Sequence, residues 1–254
     1  MKIKVLGCSG GIGPGRRTTT LLVGERLLID AGTGVCDLSF SAMSAITDVL
    51  VTHSHLDHVA GLALLIDTVF DRIKHSVAVH ASAATLATLR EHLFNWQIWP
   101  DFTQLPNSAE PRLRYQEVTV GRPFDLGGCR ITPLPALHTV PAIGYALEDA
   151  GGIFAFTGDT YTDDALWAGL NALPRLDKLM IECSFTDEDA ELGRDSRHFT
   201  PAVLGRELQR LKHRPELFLT HHKPGAERPI ARQCARALSG WSYHHLRRGD
   251  TISL

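Results

Sequence analysis

Asp48-Val49-Leu50-Val51-Thr52-His53-Ser54-His55-Leu56-Asp57-His58 opens as a short apolar strand and breaks off into three imidazoles and a carboxylate within six residues. A strand end followed by a short turn aims such side chains into one cleft while the sheet holds the backbone. Imidazole nitrogen and carboxylate oxygen suit zinc and neighbouring divalent metals. Four donors this close seldom fit one tetrahedral ion unaided, which points to two ions sharing the segment. A solvated turn would scatter its histidines; here they recur as His-x-His-x-Asp-His.

Three further donors stand in the same relation to an apolar run. His138 follows Ile131–Leu137, Asp159 follows Ile153–Gly158, and His221 follows Leu217–Thr220. Singly, a strand-end Asp or His is ordinarily a cap or turn residue. Together they describe a site built along one edge of a sheet. Strands are predicted at Ile3–Leu6, Leu27–Asp30, Val77–His80, Tyr115–Val120, Arg130–Pro135, Ile143–Leu147, Ile153–Thr157, Lys178–Glu182 and Leu217–Thr220. Helices are predicted at Val59–Phe70, Ser82–Leu93, Thr162–Leu173 and Pro201–Leu211, with Ser82 and Thr200 as N-caps. Strands interleaved with helices over both halves imply two sheets face to face with helices outside, in a single domain over residues 1–254. Residues 94–112, with Trp96, Trp99, Phe102 and three prolines, read as an aromatic loop or lid. Gly7–Gly15 holds five glycines but lacks the spacing of a phosphate-binding loop, and reads as a tight turn.

Composition narrows the field. The chain has 254 residues, with 26 Lys+Arg against 28 Asp+Glu, a formal charge of −2. No basic field is present for polyanion capture, which argues against extended nucleic acid as the partner. No stretch approaches the roughly 20 apolar residues of a membrane span, and the N-terminal apolar segment is too short for a signal-peptide core. The five cysteines are scattered and form no C-x-x-C pair, so a reduced cytoplasm is the expected compartment.

Thr52–His58, with His138, Thr157-Gly158-Asp159 and Thr220-His221, resembles the metallo-β-lactamase-fold hydrolases, whose fold is an α/β four-layer αββα sandwich. The resemblance runs from Ile29-Asp30-Ala31-Gly32 to Thr220-His221. It implies two divalent ions, zinc first, with manganese and iron(II) accepting the same donors. By that analogy His53, His55 and His138 hold one ion, Asp57, His58 and His221 the other, and Asp159 bridges them. In that family an Asp at the bridging position goes with phosphodiesterases, whereas lactam-hydrolysing members commonly carry Cys.

Three stretches are similar to the class II cyclic-nucleotide phosphodiesterases: His55-Leu56-Asp57-His58-Val59-Ala60-Gly61-Leu62, Asn95-Trp96-Gln97-Ile98-Trp99-Pro100, and Thr220-His221-His222-Lys223-Pro224. The resemblance implies hydrolysis of cAMP or cGMP to the 5′-monophosphate, with a small cyclic nucleotide as partner and a homodimer as assembly. Lys223 stands two residues after a ligand, where an ammonium can reach a phosphate oxygen. Trp99, with Trp96, either stacks on the base or pins its loop to the core. His198, in Ser196-Arg197-His198-Phe199-Thr200-Pro201, resembles the His-x-Thr motif of ribonuclease Z and class II enzymes and is the candidate proton donor; Asp57 doubles as ligand and proton acceptor. Glu182 and Asp30 are candidates for orienting a ligand histidine; His222, His244 and His245 read as bystanders. Isoleucine at 181, where ribonuclease Z has His, and the lack of a basic arm weaken a tRNA-processing role. A ribonuclease Z-like or broad phosphodiesterase, a thiolesterase of the glyoxalase type, and a metal- and nucleotide-binding module without turnover are the other readings.

Overall fold

Lys2-Ile3-Lys4-Val5 alternates exposed and buried side chains, as a strand with one protein-facing side must, and forms β1 (Lys2–Gly7). The computed structural model describes residues 1–254. After β1 come β2 (Thr20–Val23), β3 (Leu27–Ile29), α1 (Phe40–Ala45), β4 (Asp48–Leu50), α2 (Leu56–Val69), β5 (Val77–Ala81), α3 (Ala83–His92) and β6 (Leu113–Glu117). The remainder is β7 (Phe124–Leu126), β8 (Cys129–Ala136), β9 (Ala142–Asp149), β10 (Gly152–Phe156), α4 (Asp164–Asn171), β11 (Lys178–Glu182), α5 (Ala190–Asp195), α6 (Pro201–Glu207), β12 (Glu216–Thr220), α7 (Glu227–Ala237), β13 (Tyr243–His245) and β14 (Thr251–Ser253).

The strands form two seven-stranded sheets, in the orders β14-β1-β2-β3-β4-β5-β6 and β13-β12-β11-β10-β9-β8-β7. Each is antiparallel at one end and parallel at the other: β3 to β6 run parallel in the first, β10 to β13 in the second. Parallel neighbours cannot be joined by a tight turn, so α1, α2 and α3 are the crossovers of one sheet, and α4, α5 with α6, and α7 those of the other.

Period-two alternation sorts the core into layers. Val49 and Val51 turn outward onto Leu62, Leu65 and Ile66 of α2. Leu50 turns inward, where it joins Tyr145, Phe154 and Phe156 between the sheets. In the second sheet Leu179, Ile181, Leu217 and Leu219 pack against Leu166, Leu170, Leu204 and Ile230, while Met180 and Phe218 face the middle. Strands buried on both faces read as unbroken apolar runs for this reason. The result is the expected four-layer αββα sandwich.

Two expectations need correction. The helix placed at Val59 begins at Leu56, so Asp57 and His58 sit on its first turn rather than in a turn before it. Ser82 caps α3 by accepting from Thr85 N, but Thr200 does not cap α6: its hydroxyl has no partner, and Asp187 Oδ1 accepts from Ala202 N instead, at 2.8 Å. The aromatic segment is a loop anchored by Phe94 and Phe102, which are buried in the first core, with Trp99 packed against it and Trp96 and Ile98 exposed. Helix α7 escapes a sequence reading because only Ile230 and Cys234 are buried among its charged residues.

Candidate metal centre

The donors meet where the strands end. Asp30 follows β3, His53 and His55 follow β4, Asp159 follows β10, Glu182 ends β11 and His221 follows β12. The carboxyl ends of parallel strands are where such sheets present functional groups. Ligand atoms of His53, His55 and His138 lie within 4.8 Å of one another, as do those of Asp57, His58, Asp159 and His221. Asp159 Oδ2 stands 3.2 Å from His221 Nε2, 3.3 Å from His58 Nε2 and 3.9 Å from His53 Nε2, so it touches both groups.

Hydrogen bonds on the outer side of each ring decide which nitrogen points inward. His58 Nδ1 donates to Asp30 Oδ2 (2.7 Å) and His138 Nδ1 to the Arg197 carbonyl (3.2 Å). Thr52 Oγ1 donates to Asp30 Oδ2, leaving its oxygen to accept from His53 Nδ1 (3.0 Å). Ser184 Oγ donates to Glu182 Oε2 and accepts from His221 Nδ1 (2.9 Å). In all four rings this leaves Nε2 directed at the centre, the nitrogen through which a neutral imidazole binds a metal.

The residues fit divalent cations. His55 Nδ1 lies 3.1 Å from His53 Nε2 and 3.2 Å from His138 Nε2. With His53 and His138 fixed as above, their lone pairs converge with that of His55, an arrangement a shared cation relieves. His58 Nε2 and Asp159 Oδ1 are buried with no hydrogen-bond partner, as ligand atoms would be. Burial pushes His53 well below its ordinary value and His138 down to about 4, which keeps both neutral. Burial disfavours the Asp159 charge, but the neighbouring His221 and His58 hold its carboxyl well below the usual range. By the distances, His53, His55 and His138 would hold one ion, Asp57, His58 and His221 a second, and Asp159 both.

Beside the donors stands His198, whose Nδ1 is 2.7 Å from Glu182 Oε1. Burial works against its charged form, but that carboxylate outweighs it and raises the imidazole above its ordinary value. Its ring stacks on His221 at 5.2 Å and meets His138 at 4.9 Å. Glu182, fully buried, also accepts from Thr160 N, Ser184 Oγ and Phe199 N. It therefore orients His198 directly and His221 through Ser184, while Asp30 orients His58. Lys223 Nζ donates to the Gly10 carbonyl at 3.1 Å and lies close enough to His198 to oppose its charge. Trp99 does not join this cluster; it holds its loop to the core. His222 faces away, bonded to the Cys183 carbonyl and to His245.

Sequence reading missed Ser184, Arg197 and Gly10. Arg197, Asp30 and His221 all have left-handed backbones (φ 56°, 55° and 64°), and only Trp96 shares that state among non-glycine residues. Strain at one ligand, His221, and at the two residues that hold His58 and His138 is typical of a preorganised centre. Gly10 is needed for a close approach: a Cβ there would sit 2.5 Å from the His221 carbonyl oxygen and 2.9 Å from its Nδ1. Gly10→Ala is expected to displace His221 and weaken metal binding by roughly 10–100-fold. A chelator-competition titration checks this, and unchanged affinity would refute it.

The chain is similar to known proteins over most of its length. The beta-lactamase superfamily domain family matches residues 25–222. A probable 3′,5′-cyclic-nucleotide phosphodiesterase of Yersinia pestis is 29% identical over 253 residues, covering 83% of this chain and 72% of that one. A ribonuclease Z of Mycobacterium sp. (strain KMS) is 28% identical over 191 residues, covering 68% and 67%. Among solved structures, unliganded yeast PDE1 superposes with a TM-score of 0.83 at 17% identity, covering 100% of this chain and 99% of that one. With the family spanning most of the chain and its donors drawn from strand ends of both sheets rather than along one edge of a single sheet, the protein belongs to the beta-lactamase superfamily and is an enzyme of the metallo-β-lactamase fold.

Proposed function

We propose that the enzyme is a dinuclear-metal phosphodiesterase that opens 3′,5′-cyclic nucleotides to 5′-monophosphates. The observation that carries this reading is the Asp159 carboxylate, placed between two sets of imidazoles with the Glu182–His198 pair alongside. Two ions bound there, zinc first, would polarise a phosphoryl oxygen and acidify water. Asp57, whose Oδ2 lies 3.1 Å from His221 Nε2, accepts the proton of the attacking water. With Nδ1 tied to Glu182, His198 has Nε2 free to donate a proton to the leaving 3′-oxygen. Water adds to phosphorus, the P–O3′ bond breaks and the 5′-monophosphate results. Lys223, anchored on Gly10, supplies a positive charge for a phosphate oxygen. The 29% identity to a phosphodiesterase of that name supports the substrate class. No helix is long and apolar enough to cross a membrane. All five cysteines are free, which supports a reducing, cytoplasmic setting. A homodimer belongs to the same reading.

The test is a panel run with zinc- or manganese-loaded protein: cAMP, cGMP, precursor tRNA, bis(p-nitrophenyl) phosphate and S-lactoylglutathione. Release of 5′-AMP or 5′-GMP is the expected result. Cleavage of precursor tRNA without turnover of either cyclic nucleotide would replace this reading with a ribonuclease Z-like one. His198→Ala is expected to lower turnover by about 10²–10⁴-fold while both ions are retained. If the variant keeps the parent rate, its proton-donor role is wrong.

A further inference from the structure

On the other side of the glycine-rich loop from His221 lies a cavity of about 450 Å³ between residues 14–17 and the turn at 246–248, with Ser9 and His222 in its lining. Four guanidinium groups surround it: Arg16, Arg17, Arg247 and Arg248. Their carboxylate partners are two. Glu227 binds Arg16 at 2.6 Å, and Asp37 is shared by Arg17 at 3.4 Å and Arg248 at 3.3 Å. Arg247 forms no ion pair; Asp250 reaches only its backbone N–H. The shared distances are long beside the roughly 2.7–2.9 Å of a well-made charged hydrogen bond. With Asp250, close enough to the lining Cys8 to oppose a thiolate there, four guanidinium groups face three carboxylates, so the cavity keeps one surplus positive charge in a chain whose formal charge is −2.

The donors on its wall are also under-used. Ser9 Oγ is buried with no hydrogen-bond partner, and Arg17 Nε, buried too, has only Asp37 Oδ1 at 3.4 Å. An unpaired buried donor costs about 1–3 kcal/mol, and a small turn of either side chain toward an oxyanion would pair it. Both ring nitrogens of His222 are occupied, by the Cys183 carbonyl and by His245, so it offers the cavity no free donor. The volume is within the range of small-ligand sites, about 300–1,000 Å³. Guanidinium forks match phosphate oxygens bidentately.

We propose that this cavity binds the phosphate group of a small molecule at a site separate from the metal centre. The two sites share the loop. Gly10 packs on His221 and accepts from Lys223, while Arg16 is tied through Glu227 to the start of α7, just beyond Lys223. An oxyanion drawn in by Arg16 and Arg17 pulls on the same loop that abuts the metal ligand.

The experiment is calorimetric titration of metal-loaded protein with pyrophosphate and, separately, with 5′-AMP. Each probe is expected to show one event at the metal centre and a second in the arginine cavity. Arg247→Glu alone, and Arg17→Glu with Arg247→Glu, are expected to weaken the second event at least tenfold for whichever probe fills it. Turnover of bis(p-nitrophenyl) phosphate without added phosphate should stay within about twofold of the parent. Loss of the second pyrophosphate event with no second 5′-AMP event would assign the site to inorganic phosphates; the reverse would assign it to nucleotides. Arg247→Glu, on an exposed turn, keeps the test open should the double variant fold poorly. A single event that neither variant alters overturns the proposal. So does a second event seen only with a short RNA, since the ligand would then be a polynucleotide backbone. None of these outcomes depends on whether cyclic nucleotides are the substrate.

Discussion

Asp159→Ala is expected to drop metal content from two ions per chain to one or none and to lower phosphodiester turnover by at least about 10³-fold. Asp159 is the one carboxylate within 4 Å of both donor groups, and its side chain is only 2% exposed. Without it, His53, His55, His58, His138, His198 and His221 face one another with Asp57 as the remaining anion among the donors. Neutral imidazoles can still bind one ion, but holding two like charges close together needs an anion between them. Loss of several kcal/mol of transition-state stabilisation, at about 1.4 kcal/mol per decade, gives the stated factor. Elemental analysis beside a turnover assay checks both halves. A variant that retains two ions would show that Asp159 is not the shared ligand.

Asp30→Ala should cost stability first and activity as a consequence. Asp30 is fully buried and accepts three hydrogen bonds: from Thr52 N at 2.8 Å, Thr52 Oγ1 at 2.9 Å and His58 Nδ1 at 2.7 Å. Truncation leaves three buried donors without an acceptor. Removing one partner of such a buried pair costs about 3–5 kcal/mol. At roughly 2–4 °C per kcal/mol for a chain of this size, the melting temperature should fall by about 10 °C. Asp30→Asn separates the two roles, since asparagine tolerates the left-handed backbone and can still accept from Thr52. Its amide accepts on one side only, so with the oxygen facing Thr52 N the His58 ring loses its fixed tautomer, and metal affinity should fall about 10–100-fold with a smaller loss of stability. Thermal melts of the metal-free proteins settle the point: an Asp30→Ala melt within 2 °C of the parent would contradict the role assigned to this carboxylate.

These two residues differ in how far the sequence announces them. Asp159 closes an apolar run, as His53, His138 and His221 do, and a donor repeatedly placed at a strand end is visible in one dimension. Asp30 also closes a strand, but nothing in its neighbourhood names His58 as its partner. Ser184 is harder still. Its hydroxyl matters because Glu182 lies on one side and His221 on the other, 37 residues away. Gly10 looks like part of a turn until the chain brings it against His221. That Trp99 packs against the first core is likewise invisible along the chain. Thr200 has the identity and position of an N-cap, yet Asp187, distant in sequence, takes that role.

By itself, the order of amino acids determined which chemical groups the protein owns and the strands on whose ends they ride, because donor type and apolar periodicity are local properties. Only the tertiary structure decided how near the donors come to one another, that Asp159 lies within 4 Å of His53, His58 and His221, and which ring nitrogen each of these histidines turns inward. Those are matters of ångströms between residues as far apart as Asp57 and His221, 164 positions along the chain. Sheet register and helix crossovers set such distances, and neither can be read from a residue's immediate neighbours.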